Sequence, residues 1–378
     1  MNPELSNFAA RLRQLISARD DVRNLSTPER FLSAKQFNQL ALELFALQFD
    51  SNPAYQTLSQ ARGRSPATVE HWTQIPAVPT AAFKELKLSG IPAAERTTVF
   101  HSSGTTEQIP SRHFHCADSL AVYEASLTRW FDHHPGATGP LHFLTPGRSA
   151  APHSSLVYMF DTLRQRRSLP ESAFLGSMAT DGTWILNFPA VLVELQAAGA
   201  TGRPLTLLGT AFSFVHLLDY LAEHRLGFTL PAGSRVMETG GYKNRSRTLP
   251  KAQLHALITE TLGIPASHII CEYGMSELSS QGYAVTGHKV TSGNTPGGSL
   301  ALPFVFPPWA RVQIISPETG REVAEGQTGI IRVVDLANVF SVAAVQTEDL
   351  GIRRGMGFEL VGRAEKAEPR GCSLMAAI

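Results

Sequence analysis

The spacing of hydrophobic residues changes along this chain. Over residues 36–49 they recur at helical spacing, which predicts a helix with one apolar face. From residue 98 onward, short apolar runs alternate with helical patterns. The runs that suggest strands are 141–144, 205–209, 235–237 and 268–271, and the helical patterns between them include 214–221 and 250–262. Alternating strands and helices predict an α/β fold with a mixed or parallel sheet.

From residue 299 the pattern becomes rich in strands. Apolar runs at 312–315, 330–334 and 339–345 are separated by glycines, prolines and charged residues, so we expect a β-rich subdomain here. The whole pattern divides the chain into a helical N-terminal part (1–97), an α/β body (98–298), the β-rich subdomain (299–361) and a short tail (362–378).

The composition is that of a globular chain, with 43% hydrophobic and 17% charged residues. A formal net charge of +1 argues against nucleic acid as a partner. The N-terminus has no signal-peptide pattern and no apolar stretch is long enough to span a bilayer, so we expect a cytoplasmic protein. The three cysteines suit a reducing compartment, and we expect Cys116 and Cys271 to pack in the interior. The thirteen histidines show no zinc-site spacing with the cysteines, so no structural metal site is expected.

A hydroxyl-rich loop near residue 104 is the first candidate for chemistry. It contains Ser102, Ser103, Gly104, Thr105 and Thr106. The glycine allows close backbone approach, while the hydroxyls and backbone N–H groups can bind phosphate oxygens. The alternative is an ordinary turn, which sequences of this kind commonly form.

Polar residues after the predicted strands form a second group of candidates. Glu277 follows a strand through a Tyr-Gly turn, where a carboxylate can hold Mg²⁺, and Tyr273 offers a flat face to a purine. Asp349 can accept both hydroxyls of a ribose, and Gly240-Gly241 can let an adenine ring approach. Each also has a plainer interpretation: a buried tyrosine, a solvated glutamate, turn chemistry or a hairpin.

Taken in order, these motifs resemble those of the adenylate-forming, or acyl-activating, superfamily. The motifs are His101–Ser111, Glu238–Lys243, Glu272–Glu277, Gln346–Gly351 and Gly362-Arg363. The chain is most similar to the bacterial acyl-protein synthetases of the bioluminescence fatty-acid reductase system, and more distantly to phenylacetate–CoA ligases. The resemblance implies that residues 102–106 hold the phosphates of ATP, that Glu277 holds Mg²⁺, that Gly240, Gly241 and Tyr273 line the adenine, and that Asp349 and Arg363 bind the ribose.

The last residues of the chain indicate which group of adenylate-forming enzymes it resembles most. Adenylate-forming ligases usually continue beyond a Gly-Arg hinge into a mobile C-terminal domain with a catalytic lysine, whereas fifteen residues follow Arg363 here. We therefore expect a large adenylate-forming domain that lacks the mobile domain and ends in a hinge remnant. In the acyl-protein synthetases a C-terminal cysteine accepts the acyl group, and Cys372 stands at that position, where Arg370 can lower the pKa of its thiol. The alternative is a bystander cysteine near a terminus.

Two features of the loop depart from the family pattern. Glu107 stands where the family usually has a second glycine, and a carboxylate beside phosphates is unfavourable. The lysine that often follows the loop proline is also missing. Lys243 is the candidate for a replacement cation.

The sequence thus predicts an enzyme that uses ATP and Mg²⁺ to convert a carboxylic acid, of fatty type, into acyl-AMP and passes the acyl group to Cys372. A reductase, an acyltransferase or a carrier protein would collect the thioester. Two alternatives remain. One is a ligase that delivers the acyl group to coenzyme A or a carrier-protein thiol; the other is a non-catalytic binding or scaffold subunit, which Glu107 favours.

Overall fold

A computed structural model of the protein describes residues 2–17, 31–102, 109–134, 139–167, 171–240, 249–285 and 303–364. These residues belong to two compact units. The first unit is drawn from Met1–Ser126, Ser276–Ser280 and Val305–Ile378, and the second from Leu127–Met275 and Gln281–Phe304. The short segment Ser276–Ser280 therefore belongs to the first unit, although the chain on both sides of it belongs to the second.

Several of the described helices begin at a residue whose side chain caps the first turn. The described helices are α1 (Pro3–Ser17), α2 (Ala34–Ser51), α3 (Pro53–Ala61), α4 (Ala82–Glu85), α5 (Ala117–His133), α6 (Ser155–Arg167), α7 (Phe188–Thr201), α8 (Ala211–Glu223) and α9 (Lys251–Leu262). At the start of α2, Ser33 and Gln36 form a reciprocal capping box, which satisfies backbone N–H groups that the helix itself leaves without partners. None of the helices in the described ranges combines the length and apolar character that crossing a bilayer requires.

In the middle of the chain the strands alternate with helices, whereas the described residues after 303 form strands and no helix. The described strands are β1 (Val78–Pro79), β2 (Thr98–His101), β3 (Arg112–His115), β4 (Leu141–Phe143), β5 (Ala173–Phe174), β6 (Gly176–Met178), β7 (Trp184–Leu186), β8 (Thr206–Thr210), β9 (Arg235–Thr239), β10 (Ile269–Tyr273), β11 (Gly282–Val285), β12 (Ala310–Ile315), β13 (Thr328–Asp335), β14 (Ala344–Arg354) and β15 (Gly357–Arg363). The α/β alternation predicted for residues 98–298 is therefore present in the described part of that range.

In the first unit, the described strands β1, β14, β13 and β12 lie side by side in that order, and β15 pairs with β14. The pairing of β1 with β14 is parallel, and the others are antiparallel. A separate pair of antiparallel strands, β2 and β3, has His101 and Arg112 as register partners, and the hydroxyl-rich motif lies between these two residues in the sequence.

The second unit is built on a sheet with the strand order β11-β10-β9-β8-β4-β5. All of its pairings are parallel except the one between β11 and β10. Helices α7, α8 and α9 bury their apolar faces against this sheet, in one core that includes Leu195, Phe214, Ile258, Val236 and Ile269. Parallel strands covered by helices are typical of α/β folds, in which ligand-binding residues follow the carboxyl ends of the strands.

One predicted strand is wrong in its extent. The apolar run 339–345 was expected to be extended throughout, but β14 begins only at Ala344. Residues 339–343 are buried as the hydrophobic pattern implies. Their backbone groups, however, bond to the buried side chain of Gln48, whose Nε2 donates to the carbonyl of Val339 (3.0 Å) and whose Oε1 accepts from the N–H of Ala343 (2.8 Å). The hydrophobic pattern thus correctly predicted that residues 339–343 are buried. Backbone groups of these residues bond to the Gln48 side chain of α2 where a neighbouring strand was expected.

Replacing Gln48 by Leu tests this interpretation. The substitution leaves buried backbone groups of the 338–343 turn without partners, at a cost of about 1–3 kcal/mol for each such group. We expect the free energy of unfolding to fall by about 2–4 kcal/mol in denaturant titrations followed by circular dichroism. Gln60→Leu, at an exposed position of α3, is the matched control and should change it by less than about 0.5 kcal/mol. Equal values for the two variants would contradict a bridging role for Gln48.

Candidate active site

The base of the hydroxyl-rich loop is closed by its first residue. The Oγ of Ser102 accepts a hydrogen bond from the N–H of Ser111 (3.0 Å), and the N–H of Ser102 donates to the carbonyl of Ser111 (3.3 Å). Both bonds extend the pairing of β2 and β3 by one step. Ser103, Gly104, Thr105 and Thr106 lie outside the described residues, as does Glu107, so their binding of phosphate stays a prediction.

Glu277 lies against this closed base. The hydroxyl of Ser111 donates a short hydrogen bond to Oε1 of Glu277, and the hydroxyl of Ser276 donates to Oε2 (3.0 Å). The Glu277 residue is only 5% exposed, so the plainer interpretation of a solvated glutamate does not apply. A buried carboxylate is costly unless it is hydrogen-bonded, and these two hydroxyls meet that need. The structure thus brings the loop base and the predicted Mg²⁺ ligand together within the first unit.

A buried histidine also binds the backbone of the Ser276-Glu277 segment. Nδ1 of His113 donates to the carbonyl of Ser276 (2.8 Å). Burial lowers the pKa of His113 to about 4, so the ring is neutral at physiological pH. The neighbouring ring of His115 lies 4.3 Å away between centroids, and burial followed by the proximity of His113 lowers its pKa as well. The neutral His113 ring therefore binds the Ser276 carbonyl, and the His115 ring packs against it.

The other side of Glu277 is held by the turn between β13 and β14. Nδ2 of Asn338 donates to the carbonyl of Glu277 (2.8 Å), and Oδ1 of Asn338 accepts from the hydroxyl of Ser279 (2.6 Å). Asp335 accepts from the N–H of Ser279 (3.0 Å) and from the hydroxyl of Ser280 (2.8 Å). Burial raises the pKa of Asp335 to about 6. These bonds fix the backbone on which Glu277 is mounted.

No role was predicted from the sequence for the residues of this network. Ser111 and His113 lie on either side of Arg112 at the start of a short strand, and no local pattern there points to Glu277. The available signals were polar residues inside apolar surroundings: the Ser279-Ser280 pair after the Glu277 motif, and Asp335 and Asn338 beside an apolar run. A polar residue at a position that the hydrophobic pattern predicts to be buried must have a hydrogen-bond partner. Such residues in different motifs are therefore candidates for contacts with one another.

The two predicted ribose ligands form a cross-strand pair. Asp349 on β14 and Arg363 on β15 are register partners, and Nε of Arg363 lies 3.7 Å from Oδ1 of Asp349. The arginine side chain is 82% exposed. An ion pair this exposed contributes about 0–1 kcal/mol to stability, so the fold does not depend on it. The Asp349 side chain is half-buried, whereas that of Arg363 extends into solvent beside it.

The two described residues predicted to contact adenine lie at one edge of the second unit's sheet. Strands β9 and β10 are parallel, and Thr239 is the register partner of Glu272. Gly240 therefore follows β9 at the edge where β10 ends with Tyr273. Gly240 has φ of +73°, a left-handed conformation that suits glycine, and a Cβ added to it would meet no atom within 4 Å. Gly241 lies outside the described residues.

Tyr273 is buried, at 7% exposed, and its ring contacts that of Phe304 with centroids 5.8 Å apart. The adjacent Glu272 faces the opposite side of β10 and accepts a short hydrogen bond from the hydroxyl of Thr239. Burial raises the pKa of Glu272 to about 7. A Cβ on Gly274 would lie 2.2 Å from Oε1 of Glu272, so a larger residue after Tyr273 would displace the Glu272 carboxylate. Sequence analysis did not identify Glu272.

The remaining predicted site residues are not described. Lys243 and Cys372 both lie outside the described residues, and their roles stay predictions. Cys116 and Cys271 are buried, as expected. Among the predicted site residues that the structure describes, the first unit brings together Ser102 with Glu277, and Asp349 with Arg363. The second unit brings together Gly240 and Tyr273.

Comparison with known proteins supports the same reading of the chain. The family model for acyl-protein synthetase, LuxE, matches residues 174–377, which is more than half of the chain. Two curated relatives are long-chain-fatty-acid–luciferin-component ligases. The ligase from Vibrio harveyi is 23% identical, over 94% of this chain and 92% of its own length. The ligase from Aliivibrio fischeri is also 23% identical, over 95% of this chain and 93% of its own length.

A solved structure extends the comparison to the fold. An open conformation of 2-hydroxyisobutyryl-CoA ligase, in complex with 2-HIB-AMP and CoA, superposes with a TM-score of 0.66 at 15% sequence identity. The match covers 93% of this chain and 80% of that one. At this identity the likeness concerns the fold alone, and it confirms the predicted α/β class.

The buried histidines make the stability of the first unit depend on pH. Because the pKa of His113 is about 4 in the folded chain and near 6.5 when unfolded, the unfolded state binds more protons between these values. Stability is therefore lost as the pH falls through this window. His113→Asn keeps an N–H donor for the carbonyl of Ser276 but cannot titrate. We expect it to remove about 2 kcal/mol of the loss in unfolding free energy between about pH 7 and pH 5.

The measurement is denaturant unfolding at several pH values. His216→Asn, at an exposed position of α8, is the matched control and should keep the pH dependence of the original chain. If His113→Asn kept that dependence as well, His113 would not be buried in neutral form.

Proposed function

Because the chain belongs to the LuxE acyl-protein synthetase family, we propose that it activates a fatty acid with ATP and passes the acyl group to a thiol of its own. The observation that carries the proposal is the junction of the hydroxyl-rich loop with a buried carboxylate through Ser102, Ser111 and Glu277. A long-chain fatty acid is the substrate for which both curated relatives are named.

The first half-reaction is adenylation. An oxygen of the substrate carboxylate forms a bond to the α-phosphorus of ATP, and the bond from that phosphorus to the bridging oxygen breaks. Pyrophosphate leaves with the electron pair, and acyl-AMP remains. The residues that would hold the phosphates are Ser102 to Thr106, with Lys243 as the cation that compensates for the missing loop lysine. Hydrogen bonds and positive charge at the developing phosphate charge are the main catalytic contribution of such a site.

Glu277 has the properties that Mg²⁺ binding requires. Its oxygens accept hydrogen bonds from Ser111 and Ser276 and keep further lone pairs, and Mg²⁺ prefers carboxylate and other oxygen ligands. When bound, Mg²⁺ would neutralise phosphate charge. The part played by this chain is to hold Glu277 in a fixed orientation, because Asn338 and His113 bind the backbone carbonyls of Glu277 and Ser276.

Recognition of the nucleoside would fall to the two pairs of residues already described. Asp349 offers two carboxylate oxygens to the ribose hydroxyls, with Arg363 beside it. Gly240 and Tyr273, with Gly241, would bind the adenine at the carboxyl edge of β9 and β10. Gly240 permits close approach of the backbone, and the Tyr273 ring provides an aromatic surface.

The second half-reaction transfers the acyl group. A thiolate sulfur forms a bond to the acyl carbon, the bond from that carbon to the phosphate oxygen breaks, and AMP leaves. Cys116 and Cys271 are 2% and 3% exposed, so neither can reach an acyl-adenylate in the folded chain. This leaves Cys372 as the acceptor among the chain's three cysteines. The thioester keeps the acyl group activated for a reductase, an acyltransferase or a carrier protein.

The acceptor is tested by intact-protein mass spectrometry after incubation with ATP, Mg²⁺ and a panel of fatty acids. We expect an added acyl mass that hydroxylamine removes. Cys372→Ser should abolish the adduct and keep pyrophosphate release, because adenylation precedes the transfer. Cys116→Ser, a substitution of a buried cysteine, is the control and should keep the adduct.

Other outcomes of this experiment are equally informative. Pyrophosphate release without any adduct would move the acceptor to coenzyme A or a carrier-protein thiol. An unchanged adduct in Cys372→Ser would exclude Cys372. No pyrophosphate, with no ATP binding in calorimetry, would identify a non-catalytic subunit, which is the alternative that Glu107 favours.

Glu277→Gln tests the carboxylate. The amide oxygen can still accept from Ser111, but the negative charge is gone. We expect kcat/KM for pyrophosphate release to fall about 100-fold or more, with a higher Mg²⁺ concentration needed for half-maximal rate. Glu318→Gln, at an exposed turn, is the matched control with unchanged kinetics. Full activity of Glu277→Gln at every Mg²⁺ concentration would remove Glu277 from the mechanism.

A further inference from the structure

A cluster of three potential metal ligands lies in the second unit. Glu238, His255 and Cys271 each offer one ligand atom, and these atoms all lie within 4.8 Å of one another. Nε2 of His255 is 3.4 Å from Oε1 of Glu238 and 3.7 Å from Sγ of Cys271. The three residues are separated by 17 and 16 positions along the chain, which is unlike a zinc motif. The sequence therefore predicted no structural metal site.

The fold explains why the three side chains meet. Cys271 on β10 is the register partner of Glu238 on β9, so both side chains point to the same face of the sheet. Helix α9 packs on that face, since Leu254 and Ile258 share a core with Val236 and Ile269. Val236 and Ile269 each lie two positions before a member of the cluster, and therefore on the same face. His255 on α9 faces the two strand residues at the end of this apolar contact.

The two distances from His255 match the coordination geometry of a small divalent cation. Zinc binds carboxylate oxygen and imidazole nitrogen at about 2.0–2.2 Å and thiolate sulfur at about 2.3 Å, which places tetrahedral ligand atoms about 3.3–3.7 Å apart. The separations of 3.4 and 3.7 Å fall in this range. The geometry points to a structural site for a divalent cation of zinc type, held by Glu238, His255 and Cys271 with one position left for water.

Lys251 is the competitor for this site. Its Nζ lies 3.7 Å from Oε1 of Glu238, where the ammonium balances the buried carboxylate. The lysine side chain is 48% exposed, so it can withdraw into solvent. On cation binding the Cys271 thiol gives up its proton to solvent, and the thiolate and the carboxylate together balance the two positive charges. Either Lys251 or the divalent cation therefore neutralises Glu238.

The cluster is better suited to holding a cation than to covalent chemistry. The Cys271 thiol is buried, so it is shielded from electrophiles in solution. A bound cation would link β9, β10 and α9 two residues before Gly240 and Tyr273, where the two strands end. The consequence would be a more rigid sheet edge. The site involves none of the residues proposed for adenylation, and it stands or falls independently of the proposed function.

Cobalt(II) is the probe for this site, because thiolate ligation gives a charge-transfer absorption band. The full chain is stripped of metal with a chelator and titrated with Co²⁺. We expect the band to saturate at one equivalent and to be displaced by Zn²⁺. It should persist in Cys116→Ser and Cys372→Ser, and disappear in Cys271→Ser.

A lost band in Cys271→Ser could also result from misfolding, because Cys271 is buried. Two variants at more accessible positions of α9 separate these explanations. His255→Ala should weaken Co²⁺ binding at least about tenfold, through the loss of one ligand. Lys251→Met removes the competing cation and should tighten binding about three- to tenfold. Zn²⁺ should also raise the thermal unfolding midpoint of the original chain and not that of His255→Ala.

The proposal would be overturned by the absence of a charge-transfer band in the original chain, or by a band that survives in Cys271→Ser. Unchanged affinity in both His255→Ala and Lys251→Met would also overturn it, because no structural site at this cluster could be insensitive to both.

Discussion

The carboxylate of Glu277 is buried, and a charge taken out of water must be given partners by the fold. The hydroxyls of Ser111 and Ser276 bond its oxygens, while His113 and Asn338 bond the backbone on each side. These partners come from the β2–β3 hairpin, the Glu277 segment itself and the turn before β14. Much of the first unit's polar interior is thus organised around holding one carboxylate.

The second unit depends on a different constraint, which is the parallel register of β9 and β10. This register places Gly240 and Tyr273 at one edge of the sheet, because the two strands end together. It also aligns Glu238 with Cys271 on the face covered by α9. Shifting the register by one residue would move both pairs apart and turn each side chain to the opposite face. One pairing thus sets the geometry of the proposed adenine contacts and of the proposed cation site.

Two of the three cysteines in the sequence, Cys116 and Cys271, are buried in the described part of the chain. Acyl transfer needs a nucleophile that can reach the adenylate, whereas Cys116 and Cys271 are enclosed by the core. Burial raises the pKa of Cys271 and so disfavours its thiolate unless a cation is present. In the Asp349–Arg363 pair, by contrast, the arginine side chain is exposed and the aspartate is half-buried. The groups proposed to meet the ligand therefore differ in exposure: Glu277 and Tyr273 are buried, whereas Arg363 is exposed.

Much of the architecture could be predicted from the sequence alone. Helix α2 and the strands β4, β8, β9 and β10 lie where hydrophobic periodicity placed them, because periodicity records which side of a local element is buried. The order of the motifs also identified the family and the α/β class. Candidate site residues at strand ends, such as Glu277 and Tyr273, were found because ligand sites of α/β folds follow strand ends.

Only the tertiary structure decided which distant residues meet. The run 339–345 is buried as predicted but starts as a turn, because Gln48 in α2 takes the place of a neighbouring strand. Ser111 and His113 became site residues through contacts with a segment more than 160 positions away. Glu238, His255 and Cys271 likewise converge only through strand register and helix packing. Local pattern specifies the elements and their buried faces, whereas long-range partners are selected when those faces pack together.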